Sequence, residues 1–326
     1  IFGRTSGGNI DAVQIGAAGN TQGFSIVGMQ AGTSGNTLVS GIGDFNGDGK
    51  IDLFLSAYTD MDFDVNVYAL MNTGSSFTKV SLGLARWQHA VASADVNRDG
   101  FDDVIVAGYS SASPQYMGST TGLVQYSGMV GSSGVAVGDF LGTGTAQAVF
   151  VDASTNGGAD SFIYTMTINN VSKQITFTKT VTLPAPRLIS TEDSSNRSHD
   201  IRARAVDFDS DGHLDIVVIS YKANYIRGLT DSEYKSEIQF IRNTGNGTFV
   251  DVTDSVRVGY DTTGYPGYYP EFRDFNGDGK LDLFLSQPDY FTSKVHKSTT
   301  LLIQQTNGTY SDTGKVDFAS AVGNMY

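Results

Sequence analysis

An all-β chain assembled from repeated four-stranded units is what this sequence predicts, and three observations predict it. A nine-residue acidic pattern, Asp-x-Asn/Asp-x-Asp-Gly-x-x-Asp, occurs at Asp44 (DFNGDGKID), Asp95 (DVNRDGFDD), Asp207 (DFDSDGHLD) and Asp274 (DFNGDGKLD). Each copy runs into a short apolar segment, IDLFLS, DDVIVAG, LDIVVIS or LDLFLS, of the kind that suits a fully buried strand. Gly 39 with only 6 Pro, 11% aromatics and no long helical period indicate many short strands and tight turns rather than disorder.

Within each unit the order is constant. A strand of small residues enters the loop (LVSGIGDF, HAVASADV, SGVAVGDF, RARAVDF) and an apolar strand leaves it. Third and fourth strands follow around an Asn/Gly turn, MNTGSSF, RNTGNGTF or QQTNGTY, at Asn72, Asn243 and Asn307, which is a hairpin signal. A further copy at Asp139 (DFLGTGTAQ, before the strand AVFV) keeps the turn while Leu141, Thr143 and Gln147 replace the residues that carry the pattern elsewhere. Successive loops start 51, 44, 68 and 67 residues apart, a repeat scale that with four strands per unit predicts a β-propeller. Five complete blades are expected at about 39–83, 88–130, 132–183, 200–255 and 268–317 of a single domain spanning 1–326. Residues 1–38 read as the later strands of a blade and 318–326 as the first strand of the next. Joined, these pieces close a ring of six and remove the exposed edges of an open array; part of a seven-bladed ring is the alternative.

The loop chemistry points to calcium. Alternate carboxylates around a Gly make a cage of hard oxygens, and Ca²⁺ takes about 6–8 of these at roughly 2.3–2.6 Å. An EF-hand opens with the same pattern but needs a bidentate Glu at position twelve and flanking helices. Here position twelve is Leu55, Val106, Val218 or Leu285, and the flanks are strands. Side-chain ligands are expected at the first, third, fifth and ninth positions, with the backbone oxygen of the seventh. The first loop gives Asp44, Asn46, Asp48, Asp52 and the Lys50 carbonyl; the second gives Asp95, Asn97, Asp99, Asp103 and the Phe101 carbonyl. The remaining two give Asp207, Asp209, Asp211, Asp215 with His213, and Asp274, Asn276, Asp278, Asp282 with Lys280. One acidic Gly turn is ordinarily a solvated β-turn; four copies that each retain every ligand are a pattern of a different kind. No metal is expected at Asp139.

Charge and composition narrow the partners. A net charge of −13 argues against nucleic acid and anionic membrane, which need clustered Lys/Arg. Much of the acidity sits in the four loops, and four Ca²⁺ would bring the net charge to about −5. The absence of Cys excludes a disulfide scaffold and a thiol nucleophile. Open Asp loops suit the high calcium outside cells, where modules work with dissociation constants of about 10⁻⁴–10⁻³ M. The expectation is an extracellular or cell-surface protein of bacterial type, and, since the sequence opens at Ile1, a processed product or excised piece. No apolar run long enough to span a bilayer occurs.

The Asp-x-Asn-x-Asp-Gly-x-x-Asp loop between the first two strands of a four-stranded repeat resembles the FG-GAP/VCBS repeats, the blades of the integrin α-subunit propeller and of many bacterial surface proteins. The resemblance extends over nearly the whole chain, with the loop at Asp139 and the ragged ends as departures. It implies a β-propeller with Ca²⁺ between the first and second strands, often serving adhesion.

Alternating strand directions place the acidic loops at one end of each unit and the longer, variable connections at the other: 56–66, 107–122, 184–199, 220–236, 256–271 and 286–297. Variable loops on a rigid scaffold are where binding concentrates. Tyr260, Tyr265, Tyr268 and Tyr269, with Tyr221, Tyr225 and Arg227, form the candidate surface for a glycan or a protein; packing on a neighbouring blade is the competing role. The chain is not expected to be an enzyme. Its most obvious carboxylates are consumed as ligands, and Asp60, Asp62, Asp64, Glu192, Asp193, Asp231, Glu233 and Glu271 read as solvated rather than as a glycosidase pair. The four His (His89, His199, His213, His296) are scattered, and no His-x-x-x-His, Gly-x-Ser-x-Gly or phosphate-binding Gly-Lys-Ser/Thr occurs. A structural spacer or assembly role and a glycan-cleaving enzyme are the alternatives.

Overall fold

The computed structural model describes residues 36–58, 65–86, 88–109, 114–151, 161–187, 197–223, 235–258, 269–286 and 300–315. These form five sheets, the first four ordered along the chain. The first contains β1 (Asn36–Gly43), β2 (Asp52–Tyr58), β3 (Val65–Asn72) and β4 (Phe77–Ala85). The second contains β5 (Gln88–Ala94), β6 (Asp103–Gly108), β7 (Gln115–Met117) and β8 (Val124–Tyr126). The third contains β9 (Gly134–Gly138), β10 (Gln147–Val151), β11 (Phe162–Asn169) and β12 (Gln174–Thr182). The fourth contains β13 (Arg197–Val206), β14 (Asp215–Ala223), β15 (Lys235–Asn243) and β16 (Phe249–Asp251). The fifth departs from four strands. The two-residue β17 (Arg257–Val258) pairs in parallel with β21 (Tyr310–Lys315), beside β20 (Thr300–Gln304), β19 (Asp282–Ser286) and β18 (Tyr269–Arg273). One helical turn, α1 (Thr253–Val256), precedes β17.

The second strand of each sheet has neighbours on both sides and is covered on both faces. Every residue of β6 and of β10 is buried, which accounts for the unbroken apolar runs read in the sequence. In the first and third sheets the fourth strand lies at an edge: β4 and β12 expose most of their residues, including Lys79 and Lys179, and charge on an edge discourages pairing with other chains. Three connections from third to fourth strand are the expected Asn turns. In the first and fourth sheets the Asn72 and Asn243 side chains accept from the amides of Gly74 and Gly245 at 2.8 and 3.0 Å. In the fifth, Asn307 accepts from the Thr309 amide at 3.1 Å. Asx turns of this type let a short polar side chain stand in for a backbone turn bond.

The described residues fall into two compact units, those within 36–131 and 166–178 and those within 132–165 and 179–315. In the first, Phe45, Phe54, Val67, Val91, Val104, Val106 and Tyr116 build one core. In the second, one core gathers around Phe140, Val149, Ile216 and Val218, and another around Phe208, Phe240, Leu283 and Tyr310. No helix among the described residues is long and apolar enough to cross a membrane.

Candidate metal centre

All five acidic-type loops join the first strand of a sheet to the second, and all five have one backbone. Positions four and six take positive φ in each: Gly47 and Gly49, Arg98 and Gly100, Gly142 and Gly144, Ser210 and Gly212, Gly277 and Gly279. The first Asp holds that backbone in place. In the loop at Asp207, Oδ1 accepts the Asp211 amide at 3.1 Å and Oδ2 the Gly212 amide at 2.9 Å. The same two bonds recur at Asp44 (to Asp48 and Gly49), Asp95 (to Asp99 and Gly100), Asp274 (to Asp278 and Gly279) and Asp139 (to Thr143 and Gly144). A short carboxylate over two consecutive donors gives the turn backbone a partner within five residues.

The third and fifth positions extend the arrangement. Asn46, Asn97, Asp209 and Asn276 accept the fifth-position amide, and Asp48, Asp99, Asp211 and Asp278 accept the seventh-position amide. These side chains are drawn inward toward the turn by N–H groups, which concentrates their oxygens. Lys50 and Lys280 place their ammonium groups 2.8 and 3.2 Å from the fifth-position carboxylates of Asp48 and Asp278. Lys50 is the leading cause that holds Asp48 below the usual carboxylate range, and the Lys280 amide does the same for Asp278.

The ninth Asp has a second role that sequence reasoning missed. Asp52, Asp103, Asp215 and Asp282 are all fully buried. Each accepts the second-position amide on Oδ2, from Phe45, Val96, Phe208 and Phe275 at 2.9–3.1 Å. Each also accepts, on Oδ1, an amide at the end of the third strand: Asn72 at 2.7 Å, Gly118 at 2.8 Å, Asn243 at 2.8 Å and Gln304 at 2.9 Å. One carboxylate therefore ties the loop to the next hairpin of its own sheet. Its burial has a cost: desolvation pushes Asp103 and Asp215 up to about 7, with the acids at positions one, three or five adding to the rise. Asp52 moves in the same direction for the same leading reason.

Within each unit the loops also receive the following sheet. The second-position carbonyl is the socket. Phe45 O accepts the Ser119 amide at 3.1 Å, Phe140 O accepts the Asn243 side-chain amide at 2.8 Å, and Phe208 O accepts the Gln304 side-chain amide. In the first unit, Asp44 and Asp102 exchange two further bonds, Asp44 N to Asp102 Oδ2 at 2.8 Å and Asp102 N to Asp44 O at 3.0 Å. This approach needs a residue without a side chain at Gly43, where a Cβ would lie 2.7 Å from that of Asp102.

In the loop at Asp207, three of the expected donors are spaced as a cation needs. Carboxylate oxygens of Asp207, Asp209 and Asp215 lie within 4.8 Å of one another, and two oxygens on one Ca²⁺ are at most about 5 Å apart when each sits at roughly 2.3–2.6 Å. Crowding raises Asp209, through desolvation first and Asp211 second, so a divalent ion would relieve a repulsion already present. The other three loops offer an Asn amide oxygen at the third position in place of the Asp209 carboxylate. His213 turns its imidazole over Gly245 of the neighbouring hairpin, where a Cβ would meet Nε2, which leaves its backbone as the group within the loop.

Of the candidate ligand surface, Tyr260, Tyr265, Tyr268, Tyr225 and Arg227 lie outside the described residues, and Tyr221 and Tyr269 are placed as backbone in β14 and β18. Asp60, Asp62, Asp64, Glu192, Asp193, Asp231, Glu233 and His296 also lie outside them. His199 is placed as backbone in β13. Glu271 is exposed and stands 3.7 Å from the Arg204 guanidinium, and His89 meets the Tyr109 ring edge to face at 5.0 Å.

A family model described as FG-GAP-like repeat matches residues 44–106 and 207–285. Both matches begin on the first Asp of one loop and end in the apolar strand that follows the next acidic loop. The loop at Asp139 falls between them. No curated protein matches the chain.

Proposed function

We propose, from the premise that this chain carries FG-GAP-like repeats, that it is a calcium-stabilised β-propeller serving as a binding or adhesion module of an extracellular or cell-surface protein. The observation that carries the reading is the fourfold recurrence of one loop. A fully buried ninth Asp and a first Asp set over two amides collect the third- and fifth-position oxygens at a sheet end. Ca²⁺ at these loops supplies the positive charge that neutralises clustered acids. The protein residues do the remainder: the first Asp shapes the turn, the ninth ties it to the third strand, and the second-position carbonyl receives the next sheet. Together they hold successive sheets rigid, so that the connections at the opposite end are preorganised to bind a glycan or protein. No catalytic role is included.

Calorimetric titration of the full chain tests this, with about four Ca²⁺ equivalents expected and a melting temperature that rises with calcium. No uptake at millimolar calcium would remove the reading. Binding on a glycan array or in a pull-down that is lost in chelator supports the adhesion part; empty arrays with calcium-dependent self-association would instead favour a structural spacer.

A further inference from the structure

The loop at Asp139 has the same backbone as its four relatives but different contents. Leu141, Thr143 and Gln147 stand at the third, fifth and ninth positions, where the others have Asn/Asp, Asp and Asp. The turn is nevertheless closed. Gln147 is buried and its side-chain oxygen accepts the Leu141 amide at 3.0 Å. Its side-chain nitrogen donates to Thr143 Oγ1 at 3.1 Å and to the Thr145 carbonyl. Thr143 is the fifth position and Thr145 the seventh, so the amide nitrogen holds the two oxygens that correspond to the fifth side chain and seventh carbonyl assigned to the cation in the other loops. Thr143 Oγ1 also meets Thr145 Oγ1 at 2.9 Å and donates to Asp139 Oδ1 at 3.4 Å, so the loop holds one carboxylate where its relatives concentrate three or four.

We infer that Gln147 is a built-in substitute for the cation, its amide N–H groups cross-linking the fifth and seventh positions so that the sheet of β9–β12 keeps its loop closed without any metal. Two physical facts make the exchange workable. Gln is one methylene longer than Asp, and its terminal nitrogen reaches the oxygens of the fifth and seventh positions. A side-chain amide donates two hydrogen bonds and accepts at its oxygen, so it can draw oxygens together as an ion does, with no charge to desolvate. The consequence is an array of unequal dependence: one loop closed at all calcium concentrations, the others closed by the ion. The part of the inference that concerns substitution rests on the calcium reading above; the cross-link itself does not.

Hydrogen exchange on the full chain, with calcium and with chelator, tests it. In wild type the amides of Leu141, Thr143 and Gly144 should exchange alike in both conditions. Those of Asp211 and Gly212, in the corresponding acidic loop, should quicken at least about tenfold in chelator. Gln147→Glu keeps the size and the accepting oxygen but turns the donor into a second acceptor facing Thr145 O. It should quicken exchange at Leu141 and Thr143 in chelator at least about tenfold. The combined variant Leu141→Asn, Thr143→Asp, Gln147→Asp should take up one calcium equivalent more than wild type. Unchanged protection of the Asp139 loop in Gln147→Glu, or deprotection of that loop by chelator in wild type, overturns the inference. Absence of calcium uptake by wild type is a separate failure, read in the titration, and overturns the calcium reading and the substitution with it.

Discussion

The loops at Asp207 and Asp139 stand at equivalent places in neighbouring sheets of one unit and solve the same problem by different chemistry. Both place positions four and six at positive φ, Ser210 and Gly212 in one, Gly142 and Gly144 in the other. Both set the first Asp over the amides of positions five and six. They part at the ninth residue. Asp215 accepts two backbone amides, one from its loop and one from the third strand, and leaves three carboxylates within reach of one cation. Gln147 accepts one loop amide and donates to two loop oxygens. Turn shape and ion requirement are thus separable properties of the nine residues: the first Asp and the residues at positive φ set the shape, while the third, fifth and ninth positions set what fills it.

The largest effect that tests this separation is at the ninth position itself. Asp215→Ala strands the Phe208 and Asn243 amides in a buried setting and should lower stability by about 2–6 kcal/mol, at roughly 1–3 per abandoned donor. Chemical denaturation should find the loss both with calcium and with chelator, because the bonds do not pass through an ion. A loss confined to calcium would return Asp215 to a ligand role alone. Asp211→Ala should behave in the opposite way. It is exposed and accepts the His213 amide, so its removal should be nearly silent in chelator. It should delete one calcium equivalent and about 2.7 kcal/mol of calcium-dependent stabilisation when the ion is at a hundredfold its dissociation constant.

Acidity separates the two loops next. Burial raises Asp215 from 3.8 in the unfolded chain to about 7. A carboxyl raised on folding adds stability that is complete below the unfolded value and is lost as pH rises through the folded one. In chelator, stability should therefore fall between about pH 4 and pH 7 as this group and Asp103 take on charge. Thermal unfolding should show a shallower fall for Asp215→Asn, whose neutral side chain imitates the condition of Gln147, and an unaltered slope would contradict the assignment. The smallest effect is at position four. Ser210 has φ +60 where its counterpart is Gly142 at +63. Ser210→Gly should stabilise by about 0.5–1 kcal/mol, the relief of left-handed strain less the extra entropy of Gly, as a small rise in melting temperature.

Much of the architecture was legible from residues close together in the chain. The small-residue strand, acidic loop, apolar strand and Asn turn appear in that order in the first and fourth sheets, and the last three of these in the fifth, because turn bonds such as Asp44 to Gly49 span only five positions. The first, third, fifth and ninth loop positions, whose side chains accept loop amides, were legible for the same reason. What escaped were the bonds that cross from one segment to another. Asp103 reads as a ligand in the sequence, yet it also accepts Gly118 fifteen positions away. The Thr143 and Gln147 pair reads as decay of a motif, although their side chains meet in a closed network. The added β17 in the fifth sheet has two residues and pairs with a strand more than fifty positions on, too little pattern to see in advance.

By itself the sequence determined an all-β chain of repeated sheets with one loop geometry, since alternation, Gly placement and a short carboxylate over nearby amides act within a few residues. The tertiary structure alone decided that the ninth Asp braces the third strand, that the second-position carbonyl receives the following sheet, and that Gln147 closes its loop from within. Those outcomes depend on donors and acceptors brought together from 2 to 103 positions apart. Whether they meet is settled by packing around buried cores, where an unpaired polar group is costly and each amide must find its partner.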